Sequence, residues 1–380
     1  MRSLFATFGF AILAAISLAQ TSPPSRSAPY ATLDRNAVTY RGPVSTGSES
    51  ISNDSAVIGL ILPLHGPQQR EGEALLAAAQ LAIQQEQSRG PLPDGRQLRL
   101  VVRDESGPWG QASMEILKLF DQDHALAIVT SANGASAHLA EQIAIKISIP
   151  ILTLASDPTT TETNVPWIFR MGPSDTDQAR SFCQKIYAST PSTERVLLFA
   201  QADHDGRTGA EAFEKIAKEF TSAPVTRFDI SEARQAEALR SQLLHDPPEA
   251  IVLWTDAPEA NAILTLLRST VPNVPVFLST KSAQLLDPAG TARSPWFTID
   301  SPATATSAAL PNILHSYAAR QIYDAVHTIS NALRTTGANR VLLRDYLANQ
   351  LPNAQTAHAT PFDSAGNSLQ SFSLVPLAPQ

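Results

Sequence analysis

The sequence has little cysteine and little charge. One cysteine, Cys183, occurs among 380 residues, so no disulfide can form within the chain. Phe182 and Ile186 share a predicted helical face with Cys183, which favours a structural role over a nucleophilic one. Charged residues make up only 17% of the chain, and its 28 Lys and Arg are scattered under a net charge of −7. We therefore expect no nucleic-acid partner.

The sequence also lacks the short motifs of common enzyme classes. It contains no G-x-S-x-G nucleophile elbow, no phosphate-binding P-loop and no G-x-G-x-x-G after a strand. A hydrolase on an α/β scaffold would need a nucleophile that the sequence does not show. The run Asp203-His204-Asp205 is a poor metal site, because three consecutive residues cannot easily converge on one ion. We predict no catalytic residue, no cofactor and no metal.

Long apolar runs are absent except at the N-terminus. Residues 4–18 are apolar and follow Arg2. Ser17 and Ala19 place small residues at the two positions that a signal peptidase recognises before its cleavage site. The run is shorter than the roughly 18–20 residues of a membrane span, although an anchor is the alternative. We predict a signal peptide at 1–19 cleaved after Ala19, export to the periplasm and no stable membrane insertion afterwards. Residues 20–55, rich in Ser, Pro, Thr and Ala, are predicted to be a disordered linker.

From residue 57 onward, apolar strands alternate with amphipathic helices. This order predicts an α/β fold with parallel, doubly wound sheets in two successive halves. One predicted helix follows the loop at 130–134 and has Leu139, Ile143 and Ile147 on one face. The predicted strands lie at 57–62, 98–103, 125–129, 150–154, 166–173, 195–200, 225–229, 250–254, 274–278, 295–299 and 369–375. The other predicted helices lie at 72–89, 112–120, 176–189, 208–220, 232–244, 259–269, 313–333 and 341–347.

Several segments, in this order and spacing, resemble the type I periplasmic binding proteins, specifically the leucine/isoleucine/valine receptors of ABC importers. The segments are IGLILPLHGP at 58–67, IPILT at 149–153 with ASDPT at 155–159, FR at 169–170 with Asp175, GRTGAEAF at 206–213, YDAV at 323–326 and FDSAGN at 362–367. The resemblance implies two Rossmann-like lobes joined by three crossings, with a ligand trapped between them. Lobe 1 would comprise 56–173 and 304–355, and lobe 2 would comprise 174–303 and 356–380.

Two small polar loops follow predicted strands of the first half. In open α/β sheets, ligands bind outside the carboxyl ends of the strands, and helix N-termini favour anions. The resemblance implies that these loops hold a ligand carboxylate through hydroxyls and backbone N–H groups. The alternative is that Ser136 and Asp157 only cap helices. The implied contacts are Asn133, Gly134, Ala135, Ser136, Ala155, Ser156 and Asp157.

Four positions depart from the receptor pattern. Asp205 and Asp256 replace residues that are often aromatic or small, and Glu71 falls near a position that can hold an aromatic residue. Lys281 falls about where the receptors place the Glu that pairs with the ligand ammonium; a solvated loop lysine is the alternative. The counter-charge for a ligand ammonium is therefore lost at Lys281 or moved to Asp205 or Asp256, and a buried cation without a carboxylate partner would be costly. We therefore expect that leucine is not preferred and that Lys281 suits a ligand with an extra carboxylate or no amine.

The resemblance implies a monomeric, exported solute-binding protein. It would capture a small polar ligand, an amino acid or another carboxylate-bearing metabolite, and close over it by hinge bending before delivery to an ABC permease. The altered positions leave a second hypothesis open. On that hypothesis the same fold is a ligand-sensing or regulatory module without a transport role.

Overall fold

The computed structural model of the chain describes residues 55–108, 110–163, 165–188, 195–230, 240, 243–286, 295–300, 314, 316–348, 362–363 and 365–377. The predicted signal peptide at 1–19, the predicted linker apart from Ser55, and most of the predicted helix at 232–244 lie outside these residues. Among the described residues, no helix combines the length and apolar character that a membrane span requires.

The first lobe is built on a parallel sheet of five strands. Its order is β2-β1-β3-β4-β5, with β1 at Ser55–Leu62, β2 at Gln97–Asp104, β3 at Ala127–Thr130, β4 at Ile151–Thr153 and β5 at Ile168–Arg170. Residues 56–62 of β1 are all buried, as expected for a parallel strand covered on both faces. The intervening helices are α1 at Gln69–Ser88, α2 at Gln111–Asp121, α3 at Gly134–Ile147 and the single turn α4 at Thr159–Glu162.

The second lobe contains a sheet of six strands. Its order is β11-β10-β9-β8-β6-β7, and all neighbours are parallel except β11, which is antiparallel to β10. The strands are β6 at Val196–Gln201, β7 at Thr226–Ile230, β8 at Ala250–Trp254, β9 at Val276–Leu278, β10 at Trp296–Asp300 and β11 at Ser373–Pro376. The described helices of this lobe are α5 at Asp175–Ile186, α6 at His204–Ala217 and α7 at Ala257–Thr270.

The C-terminal part of the chain contributes to both lobes. Helices α8 at Tyr317–Thr336 and α9 at Arg340–Leu347 pack into the core beside α1 and the first sheet. Phe362 lies in that same core, beyond position 356, where the resemblance places the last crossing. The chain then reaches the second sheet as β11.

Helix α3 buries small side chains. Ala137, Ala140 and Ala144 are fully buried, whereas Leu139, Ile143 and Ile147 are only partly buried. Ile143 and Ile147 nevertheless pack against the same core as Ala140 and Ala144, so the predicted face lies beside the alanines that α3 buries most deeply.

Helix α6 approaches strand β8 closely at Gly209. A Cβ atom added to Gly209 would lie 2.0 Å from the indole Nε1 of Trp254, which is 3% exposed and donates a hydrogen bond to Asp175. We expect Gly209→Ala to lower the free energy of unfolding by about 1–3 kcal/mol, as overpacking of a core does. Chemical denaturation measures this loss. Glu211→Ala, at an exposed position of α6, is the control, and equal stability of the two variants would contradict the prediction.

Candidate functional site

Polar loops from the two sheets face each other across a cleft between the lobes. In the first lobe they follow β1, β2, β3 and β4; in the second they follow β6, β8 and β9. Hydrogen bonds across the cleft include those of Asp205 with Gly134, His204 with Asp157, and Gln68 with Asp256. The structure thus brings together the loops that the sequence singled out at the carboxyl ends of parallel strands.

The start of helix α3 holds a carboxylate. The side chain of Asn133 caps the helix by accepting a hydrogen bond from the backbone N–H of Ser136 at 3.0 Å. The N–H of Gly134 donates instead to Asp205 Oδ1 at 2.9 Å, from the other lobe. Ala135 lies partly buried in the same turn. A carboxylate of the chain itself therefore stands where the resemblance implies a ligand carboxylate.

Lys281 is surrounded by carboxylates of the second lobe. Its Nζ lies 2.6 Å from Asp205, 2.9 Å from Asp256 and 3.7 Å from Asp203. Burial alone would lower the pKa of Lys281, but Asp205 and Asp256 hold it well above the usual value. The charge of Lys281 is therefore already paired within the protein, which argues against the expectation that Lys281 suits a ligand with an extra carboxylate or no amine.

Asp157 lies at the centre of a second cluster. Its Oδ2 is 3.0 Å from His138 Nε2 on α3 and 2.7 Å from His204 Nε2 on α6. Its Oδ1 accepts from the backbone N–H and the hydroxyl of Thr159 at 2.9 and 2.7 Å. Burial alone would raise the pKa of Asp157, but the hydrogen bonds from His138, Thr159 and His204 lower it far below its usual value. Hydrogen bonds to Asp157 and Glu141 raise the pKa of His138 to about 9.

Two of the candidate contacts serve the chain's own structure. The N–H of Ala155 donates to the hydroxyl of Thr153 at 3.1 Å. The carbonyl of Ser156 accepts from the N–H of Asp175 at 2.8 Å, and burial raises the pKa of Asp175 to about 7. In this arrangement Ser156 supports the crossing into α5, whereas Ala155 is bonded within its own loop.

Two glutamates of the first lobe add acidic groups that hold protons near neutral pH. Burial raises the pKa of Glu71, in the first turn of α1, and of Glu105, after β2, to about 7 each. Glu105 accepts a short hydrogen bond from the hydroxyl of Ser131, and its Oε2 has no partner among the described residues. Ser136 also hydrogen-bonds Glu105. The charges of Lys281 and Asp256 also act on the pKa of Glu71, the first lowering it and the second raising it, so Glu71 lies near the Lys281 cluster.

A cavity of about 660 Å³ opens beside the Lys281 cluster and is lined by both lobes. Among the described residues that line it, none is Lys or Arg. Asp256 Oδ2 accepts hydrogen bonds there from the amides of Gln68 and Gln201, each at 3.3 Å. The cavity therefore favours a cationic or hydrogen-bond-donating group. Its acidic and amide side chains are Gln68, Asp104, Glu105, Asn133, Gln201, Asp256 and Glu259.

Sequence reasoning missed three residues of the cleft. Glu105 directly follows a strand of the first half, so the rule that selected Asn133 could have selected it too. No local pattern identifies His138, because its position within a helix does not predict that it lies beside His204 of the other lobe. His204 was considered only with its chain neighbours, whereas its partners are His138 and Asp157.

Comparison with known families agrees with this architecture. The profile of the family described as periplasmic binding protein matches residues 55–341. The chain belongs to the periplasmic binding protein family. No curated protein sequence matches it significantly.

Solved structures with this fold include receptors for chemically different solutes. LivJ from Streptococcus pneumoniae, bound to isoleucine, is 20% identical with a TM-score of 0.69 over 85% of this chain and 96% of its own. The leucine-binding protein LivK from Thermotoga maritima is 17% identical, with a TM-score of 0.68 and coverages of 85% and 95%. A Rhodopseudomonas palustris solute-binding protein bound to benzoate is 16% identical, with a TM-score of 0.70 and coverages of 85% and 93%. These likenesses establish the type I fold of two α/β lobes.

Glu105 gives the stability of the protein a defined pH dependence. Because its pKa is raised from 4.5 to about 7, its contribution is complete below about pH 4.5 and is lost as the pH rises through 7. We expect Glu105→Gln to remove this loss, so that the variant gains stability relative to the wild type across that interval. Chemical denaturation at a series of pH values measures the difference. Parallel curves would contradict the prediction, and Glu73→Gln, at an exposed carboxylate, is the control.

Gly134 permits the close approach of the two lobes. A Cβ atom there would lie 2.4 Å from Asp205 Oδ1 and 3.1 Å from His204 Cδ2, both across the cleft. We expect Gly134→Ala to separate the lobes and to increase the radius of gyration measured by small-angle X-ray scattering. Ile145→Ala, on the exposed side of α3, is the control. Identical scattering from wild type and Gly134→Ala would refute this role.

Proposed function

We propose that the chain is an exported solute-binding protein that captures an amino acid, or a similar small zwitterion, between its lobes. The observation that carries the proposal is the carboxylate of Asp205 on the Gly134 N–H, 2.9 Å away at the start of α3. This position already binds a carboxylate, as helix N-termini do. A ligand carboxylate would take the place of Asp205 there.

The acidic lining of the neighbouring cavity supports the ammonium group of the proposed ligand. Asp256 and Glu105 face a space without Lys or Arg among its described lining residues, and Lys281 is already paired with Asp205 and Asp256. An ammonium group would therefore be stabilised in the cavity, whereas a second carboxylate would be repelled. This charge pattern favours an amino acid over a dicarboxylate.

Export and delivery complete the proposal. The apolar N-terminal run predicts a signal peptide, and the solved relatives include proteins described as ABC transporter substrate-binding proteins. We propose a periplasmic monomer that presents its closed form to an ABC permease. The lobes would comprise 56–173 with 304–355 and 174–303 with 356–380, apart from Phe362, which packs in the first core, and hinge bending between them would admit the solute.

One observation favours the regulatory alternative. Asp205 closes the cleft through a contact that uses no solute, which a sensing module on the same fold could exploit. On that hypothesis the wild type binds no small ligand, and Asp205→Ala gains binding because it frees the Gly134 N–H.

Isothermal titration of the mature protein, beginning at Gln20, tests the proposal with leucine, glutamate, lysine, benzoate and glutarate. We expect one-to-one binding of an amino acid. We expect Asp256→Asn to weaken that binding by more than about tenfold, because the ligand ammonium loses a charged partner. Asp121→Asn, at an exposed carboxylate, is the matched control. Binding of benzoate or glutarate without any amino acid would overturn the zwitterion assignment.

A further inference from the structure

Three side chains that could ligate a metal converge from both lobes. His138 lies on α3 and Asp157 follows β4 in the first lobe, whereas His204 is the first residue of α6 in the second. One ligand atom from each of the three lies within 4.8 Å of the others. None of the three residues lines the cavity proposed for the solute, so the cluster is a separate feature of the cleft.

The donor atoms already point at a common position. Both histidines direct Nε2 toward Asp157 Oδ2, at 3.0 and 2.7 Å. Ligands held about 2.0–2.1 Å from a tetrahedral zinc ion lie about 3.3 Å from one another. Small displacements of the two imidazole rings would therefore make room for an ion among the three atoms.

The surroundings of the cluster match the supporting contacts of metal sites. Glu141 Oε2 lies 3.2 Å from His138 Nδ1, as a carboxylate does when it orients a metal-binding imidazole whose Nε2 is the ligand. Thr159 occupies Asp157 Oδ1 through its N–H and its hydroxyl, which leaves Oδ2 for the ion. The Thr159 hydroxyl is also 2.8 Å from His138 Nε2, so a further oxygen lies beside the site.

The cluster is also accessible. The side chains of His138 and His204 are 26% and 34% exposed, whereas that of Asp157 is 1% exposed. An ion can therefore reach the histidines from the cleft and meet a carboxylate that is held rigidly behind them. Two imidazole nitrogens and one carboxylate oxygen suit zinc and its neighbours rather than calcium or magnesium, which prefer oxygen ligands alone.

We propose that His138, Asp157 and His204 bind one divalent transition-metal ion of the zinc class and that this ion fastens the two lobes together. His204 is the ligand from the second lobe, so the ion stabilises the arrangement in which the lobes are in contact. This assignment differs from the sequence-based prediction of no metal, which considered His204 only beside Asp203 and Asp205. It does not depend on the nature of the solute.

Titration of the metal-stripped mature protein with zinc chloride, followed by calorimetry, tests the site. We expect one ion per chain. Glu141→Gln should weaken binding by about 10–100-fold, as loss of an orienting carboxylate does, and His138→Ala and His204→Ala should weaken it at least as much. His245→Ala, at an exposed histidine outside the cluster, should leave zinc binding unchanged. Circular dichroism of each variant establishes that it folds.

Small-angle scattering tests the link between the lobes. Zinc should reduce the radius of gyration of the wild type and should leave that of His204→Ala unchanged. His204→Gln, which keeps a polar side chain, should behave as His204→Ala does. The absence of zinc binding, or zinc binding that His204→Ala does not alter, would overturn the proposal. Solute binding by a protein that fails this test would leave the proposed solute function intact.

Discussion

The buried ammonium group of Lys281 is the constraint on which the cleft depends. An unpaired charge in this position would be costly, so the loops after β6 and β8 must bring carboxylates to Lys281, which itself follows β9. Asp205 satisfies Lys281 with one oxygen and Gly134 of the opposite lobe with the other. The carboxylate of Asp205 thus partly neutralises the charge of Lys281 in the second lobe and hydrogen-bonds the first turn of α3 in the first lobe.

The hinge and the cleft share an arginine. Arg170, 4% exposed at the end of β5, donates to the carbonyl of Asp157 at 3.1 Å and to the side chain of Asn367 at 2.6 Å. Thr161 donates to the same Asn367 oxygen at 2.7 Å. The loop that carries Asp157 is therefore held by residues of two of the segments that pass between the lobes. A movement of those segments therefore displaces the loop that carries Asp157.

Sequence patterns predicted the fold more completely than the site. The run at 250–254 coincides with β8, and the Rossmann-like alternation holds in both sheets, because burial on both faces leaves a continuous apolar signature. The burial within α3 was predicted less well, because alanines carry a weak hydrophobic signal. The pairing of Lys281 could not be predicted, since its partners come from loops whose mutual distance is set only by the packed sheet. His138 and His204 meet for the same reason, across an interface that neither local pattern encodes.

The path of the C-terminal segment has a consequence for the order of folding. Phe362 fills the core of the first lobe, and β11 then forms the outer edge of the second sheet beside β10. The first lobe therefore stays incomplete until Phe362 has been synthesised, and the second until β11 has been. The two cores are therefore completed late and in close succession, although most of their strands are synthesised far apart in time.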